Sequence, residues 1–153
     1  MVDIEDLVEK FKTKITLVQE TENYKTNIVE PIVNKIFNEK FSDSFKNISE
    51  SLNEKLEFNA VNFKAEGKNR FFIEGRFHRI IFQKGKIEIL DNNITVNIIP
   101  IYVWKGVIKH LKLISFIINS DLQDITWDIQ FNSPEDYAKS IFSKLIDDDD
   151  FLM

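Results

Sequence analysis

The chain holds only three arginines, and all three fall within ten residues: Arg70, Arg76 and Arg79. His78, Lys84 and Lys86 join them to make the densest basic cluster in the sequence. Read as an extended strand, Arg70, Arg76 and His78 share one alternation phase, opposite to Phe71, Ile73 and Phe77. Guanidinium groups offer paired donors, so such a face is a candidate for binding a carboxylate, a phosphate or an acidic partner. The plainer expectation is a solvated strand face whose charges deter edge pairing, or one paired with Glu57, Glu74 or Glu88. Phe72 and Phe82 share the arginine phase, which admits stacking on single-stranded nucleic acid. The formal net charge of −5 argues against it.

A second group lies at the C-terminus. Asp147, Asp148, Asp149 and Asp150 precede Phe151, Leu152 and Met153. An acidic run followed by large apolar residues resembles a linear docking peptide for a basic-rimmed groove, although a frayed terminus has the same composition.

Other chemistry finds little support. The two histidines, His78 and His110, stand on different expected strands and there is no cysteine, so no metal site and no thiol nucleophile is expected. The four glycines, at 67, 75, 85 and 106, make no phosphate cradle, and no serine sits in a nucleophile elbow. Glu66-Gly67-Lys68 echoes half of a nuclease site but falls in an expected turn. Asn47-Ile48-Ser49 and Asn93-Ile94-Thr95 fit the glycosylation pattern, which matters only in a secreted chain. The expectation is a protein without enzymatic activity and without a cofactor.

At 153 residues, with 43% hydrophobic and 29% charged side chains, the chain fits one globular domain over residues 1–146 with a tail at 147–153. Its acidic start is unlike a secretion signal, and lysines interrupt the longest apolar runs, so no membrane-spanning helix and a cytoplasmic address are expected. Abundant Ile, Asn, Lys and Phe point to an AT-rich genome, such as that of a low-GC bacterium or its phage. Charge is unevenly spread: −3 over residues 1–56, +2 over 57–131 and −4 over 132–153.

The elements that must position these groups follow from periodicity. Ile4, Leu7, Val8, Phe11, Ile15 and Val18 recur at helical spacing, predicting a helix over 3–19. Polar residues 20–23 read as a connection. Asn27, Glu30 and Pro31 read as the start of a second helix to about residue 53, long enough for part of it to project toward another chain. Strands are expected at 57–65 with a bulge near Ala60, then at 70–83, 86–90 and 94–104. Turns stand at 66–69, at Lys84-Gly85 and at 91–93, and Pro100 marks an edge or irregularity. The run 107–118 is apolar in both phases and reads as a central strand covered on both sides. A half-buried strand follows at 122–131. Ser133, Pro134, Glu135 and Asp136 then open a last helix that buries Tyr137, Ala138, Ile141, Phe142 and Leu145 and ends near Ile146.

The fold class expected is α+β: two N-terminal helices, an antiparallel meander of about five or six strands, and a C-terminal helix packed on the sheet. Three functions stay open. The first is a binding or regulatory module working through protein–protein contact or self-association, of the inhibitor, immunity or accessory kind found on mobile elements. The second is a small-molecule carrier, with a pocket between sheet and helices lined from the 14 Phe with Trp104 and Trp127. The third is nucleic-acid binding through the 70–86 hairpin.

Overall fold

The computed structural model describes residues 3–75, 78–90, 93–119 and 124–146. Helical winding begins at α1 (Ile4–Tyr24) and runs without a break through α2 (Glu30–Lys35) to α3 (Asp43–Leu56). The two helices expected at 3–19 and 27–53 are therefore one, and residues 20–23 are wound helix rather than a connection. Glu20, Thr21 and Glu22 are compatible with helix, and no Gly or Pro stands there to stop it.

Pro31 does not start a new helix either. The turn before it, Lys25–Val29, is π-wound, and the Glu30 N–H donates to the Lys25 carbonyl five residues back. A proline inside a helix lacks its own N–H and crowds the carbonyl four residues earlier; a wider turn at that point relieves the misfit. A second π segment, Ile36–Ser42, precedes α3. An α-turn carries residue i+4 about 40° past residue i, and a π-turn swings it the other way. The combination keeps Phe37, Phe41 and Phe45 on one face, and all three are buried.

The chain forms two compact units, residues 1–34 and 35–153. The second contains a seven-stranded antiparallel sheet: β1 (Asn62–Glu66), β2 (Arg70–Glu74), β3 (His78–Leu90), β4 (Asn93–Trp104), β5 (Val107–His110), β6 (Ile114–Ile118) and β7 (Ile125–Asp128). Strand order is β1-β2-β3-β4-β6-β7, with β5 also paired to β4. The C-terminal helix α4 (Pro134–Ile146) follows.

Three local features reset the inside–outside phase of this sheet. The first is Gly75. The stretch 70–83 is not one strand but a hairpin, in which Glu74 pairs with Arg79 and the Gly75 N–H donates to the His78 carbonyl at 2.9 Å. The second is Gly85. The chain does not turn at Lys84-Gly85; β3 continues through a bulge that shifts register between Lys84 and Ile87. A Cβ on Gly85 would lie 3.1 Å from the Asn97 carbonyl oxygen, so glycine permits the close approach.

The third reset lies between β5 and β6. The run 107–118 is not one central strand: β5 pairs with Ile101–Trp104 and β6 with Ile94–Ile98, both on β4. Two residues of β4, Ile99 and Pro100, face three in the opposite chain, residues 111–113. Pro100 has no N–H to give at this break, while its carbonyl accepts from the Leu111 N–H at 3.1 Å. The extra residue inverts the phase. The apparent two-faced strand is thus two segments of opposite phase, with β5 exposed throughout and β6 buried at Ile114, Phe116 and Ile118. The central strand is β4, which touches β3, β5 and β6.

Residues 57–61 are not strand. The helix ends at Glu57 in a left-handed conformation, φ 62°. Asn53 then clasps the connection: its Nδ2 donates to the Val61 carbonyl at 2.6 Å, and its Oδ1 accepts from the Ala60 and Val61 N–H groups at 2.8 and 3.1 Å.

The core of the second unit is aromatic. Phe41 lies within 5.3–6.2 Å, ring to ring, of Phe45, Phe71, Phe82, Trp127 and Tyr137. α4 closes it as its spacing predicts: Ser133 Oγ accepts from the Asp136 N–H at 3.1 Å, and Tyr137, Ala138, Ile141, Phe142 and Leu145 are buried.

Candidate functional site

Three places bear on function: the basic hairpin, one face of α1, and a cleft beside α4. The hairpin splits the expected cluster. Because Gly75 resets the phase, His78 faces inward with Ile80 and Phe82, and only 1% of it is exposed. Its Nδ1 hydrogen-bonds the Tyr102 hydroxyl, and its ring stacks on Tyr102 and Trp104 at centroid distances of 5.5 and 5.9 Å. Arg79 points to the opposite face. Its Nε and Nη2 donate to Glu74 Oε2 at 3.2 and 2.9 Å, and its guanidinium lies 4.4 Å from the Phe72 ring centroid. Arg70 pairs with Glu66, and Lys86 with Glu88 at 3.4 Å. Lys84 donates its backbone N–H to the Asn69 carbonyl at 2.7 Å. Arg76 lies outside the described residues. The basic groups seen are therefore spread over two faces, and Arg70, Arg79 and Lys86 have acidic neighbours.

The face of α1 belongs to the first unit. Ile4, Val8, Phe11, Ile15 and Val18 follow one another at alternating steps of four and three, the spacing of a coiled-coil seam. Their exposure ranges from 44% at Val8 to 75% at Ile4, and no residue of α1 is buried. Leu7 widens the stripe on one side. Glu5 and Lys12 flank it on one edge, and Lys14 on the other. Thr13 and Thr21 return their hydroxyls to the Glu9 and Leu17 carbonyls at 2.9 Å, so these threonines are satisfied within the helix.

The cleft belongs to the second unit and was not legible as a site in the sequence. It opens between α4 and the strand face beside the β5–β6 bulge, with a volume of about 480 Å³. Ile80, Ile114 and Ile129 from the sheet side and Tyr137, Ile141 and Leu145 from α4 are its buried lining. Leu113 and Phe131 stand half-exposed at its mouth. Among the described residues Lys109, Lys112 and Lys144 bring three cations to its rim against one anion, Asp128. Burial pushes the Tyr137 hydroxyl up to about 12, so it stays neutral at any ordinary pH.

Of the aromatic residues expected around a pocket Phe131 stands at this cleft, while the two tryptophans lie elsewhere. Trp127 stacks on Phe41 and lies tilted against Phe116, and Trp104 stacks on His78, with the Lys105 ammonium 5.0 Å from the Trp104 ring centroid. The nearest sequence signal is the run Lys109-His110-Leu111-Lys112-Leu113, in which cations interrupt an apolar stretch, and it does not by itself mark a cleft. Among the described residues no three His, Asp or Glu side chains gather as a metal site, and no helix is long and apolar enough to cross a membrane. The tail residues Asp147, Asp148, Asp149, Asp150, Phe151 and Leu152 lie outside the described residues. No family model, curated protein or solved structure matches the chain.

Proposed function

We propose that the protein is a non-enzymatic, cytoplasmic contact module, regulatory or accessory in kind, that self-associates through α1. The observation that carries the reading is the α1 stripe: five seam residues at coiled-coil spacing, each at least 44% exposed. An isolated helix gains little from its own hydrogen bonds in water, so an amphipathic helix of this kind is stabilised by covering its apolar face.

Charge favours a second copy in antiparallel orientation. With Val8 opposite the partner's Phe11, Glu5 lies beside the partner's Lys12, and the symmetric pair repeats the contact. A parallel, in-register pair would instead set Leu7 beside the partner's Lys12 and Lys14 beside the partner's Gln19, with no opposite charges matched. The area limits the strength. Two such seams bury on the order of 900 Å², below the ~1,200–2,000 Å² of a standard stable interface. The association is therefore reversible and concentration-dependent.

Sedimentation velocity over a range from micromolar to several hundred micromolar tests this. The expected result is a rise from one-chain to two-chain mass, abolished by Phe11→Asp, whose helical circular dichroism matches the wild type at low micromolar concentration where both are monomeric. A wild-type chain that stays monomeric across the whole range refutes the proposal.

A further inference from the structure

The cleft beside α4 combines an apolar floor with a cationic rim, and the two together specify a ligand class. We propose that it binds an amphipathic carboxylate, an unbranched acyl chain whose head group stays at the rim. This inference stands on the second unit alone and does not depend on α1.

The volume of about 480 Å³ falls within the ~300–1,000 Å³ of ordinary small-molecule sites. The floor is built from buried side chains on both walls, Ile80, Ile114 and Ile129 facing Ile141 and Leu145. Of the six buried lining side chains five are aliphatic and only Tyr137 is aromatic, a balance that suits a flexible hydrocarbon better than a ring system. Polar specificity comes from the rim. Lys109 and Lys112 arrive on the chain around the bulge, and Lys144 arrives in the last turn of α4. Among the described residues Asp128 is the only acid in the lining, so these side chains give the mouth a charge of three minus one, or +2, which attracts an anionic head. The lysine stems can lie along the apolar wall while their ammonium groups meet the carboxylate in water. Tyr137 brings a neutral hydroxyl, which adds no charge to oppose the anion.

The bulge makes this arrangement possible. It removes residues 111–113 from the ladder just where β4 changes neighbours, so the sheet face is left open beside Ile114 instead of being continued by strand. Leu113, 52% exposed, stands at the mouth and contributes little to the core. It is therefore a position where the cleft can be filled without unfolding the protein.

The test is calorimetric titration of the full chain with dodecanoate below its micellar range, beside dodecyltrimethylammonium (same chain, opposite head) and butyrate (same head, no chain). The expected result is one dodecanoate per chain, with butyrate silent and the cation at least about tenfold weaker. Leu113→Trp should abolish binding by occupying the mouth. Lys109→Glu with Lys112→Glu should weaken dodecanoate about tenfold and leave the cation no weaker. Failure of the wild type to bind dodecanoate at millimolar concentration overturns the proposal. Equal binding of the cation overturns the head-group assignment, and undiminished binding by Leu113→Trp overturns the location.

Discussion

Replacing Asn53 by Ala should destabilise residues 35–153 far more than its partly exposed helical position suggests. The side chain makes three hydrogen bonds to the backbone of Ala60 and Val61, at 2.6, 2.8 and 3.1 Å. One of the freed groups keeps a partner, because the Ala60 N–H also donates to the Phe58 carbonyl at 3.0 Å. The other two belong to Val61, which is 1% exposed, so water reaches them poorly. Leaving a buried polar group unsatisfied costs about 1–3 kcal/mol. Two such groups, partly relieved by local shifts, give an expected loss of about 3 kcal/mol. Urea unfolding followed by tryptophan fluorescence measures it, since Trp104 and Trp127 both lie in this unit. The slope with urea should be unchanged and the midpoint lowered. Asn47→Ala, an exposed asparagine on the same helix, serves as the control and should stay within about 0.5 kcal/mol of wild type. A loss at Asn53 no larger than at Asn47 would refute the reasoning, because the connection would then be held by packing alone.

Other expectations follow from single contacts. Gly85→Ala should cost about 1–3 kcal/mol in the same assay, since its Cβ would meet the Asn97 carbonyl at 3.1 Å and Ile99 Cδ1 at 3.3 Å. Arg79→Ala should cost only about 1 kcal/mol, because its ion pair with Glu74 is half-exposed and its contact with the Phe72 ring is a single one. Tyr137 sets an alkaline limit. Its folded pKa of about 12 lies above the ordinary 10, so the unfolded chain loses this proton first. Its contribution is intact below pH 10 and is lost as pH rises toward 12, by about 2–3 kcal/mol in all. Tyr137→Phe should flatten that part of the stability profile, as read from urea midpoints at pH 8 and pH 11.

Much of the architecture could be read before any coordinates. The last helix was legible because several signals agree: a serine cap, proline in the first turn, acids at the positive end and one apolar stripe. The antiparallel meander followed from short polar turns. What misled was phase. Alternation arguments carry a strand's orientation forward from residue to residue, and Gly75, Gly85 and the 111–113 bulge each break that chain of inference. Hence His78 was expected beside the arginines and stands inside. The run 107–118 was expected to be covered on both sides, yet Val107 and Ile108 are 61% and 63% exposed. The N-terminal join was missed for another reason. Asn27, Glu30 and Pro31 imitate a helix start, and the π-turn that absorbs Pro31 leaves no residue-level mark. The cleft was hidden because its floor comes from β3, β6, the residue after β7 and α4, whose meeting no local pattern records.

The bulge opposite Pro100 also says which kinds of change this protein can tolerate. Ile114, Phe116 and Ile118 face the core only because three residues stand where two would continue the ladder. Substitutions at Lys112 or Leu113, both exposed, should be absorbed easily. Deletion of either one should not be, since it would turn Ile114, Phe116 and Ile118 to solvent or force β5 to invert in their place. For this segment length is the inherited quantity and composition is comparatively free. Lys112 and Leu113 at the cleft mouth can therefore change while the sheet beneath keeps its count.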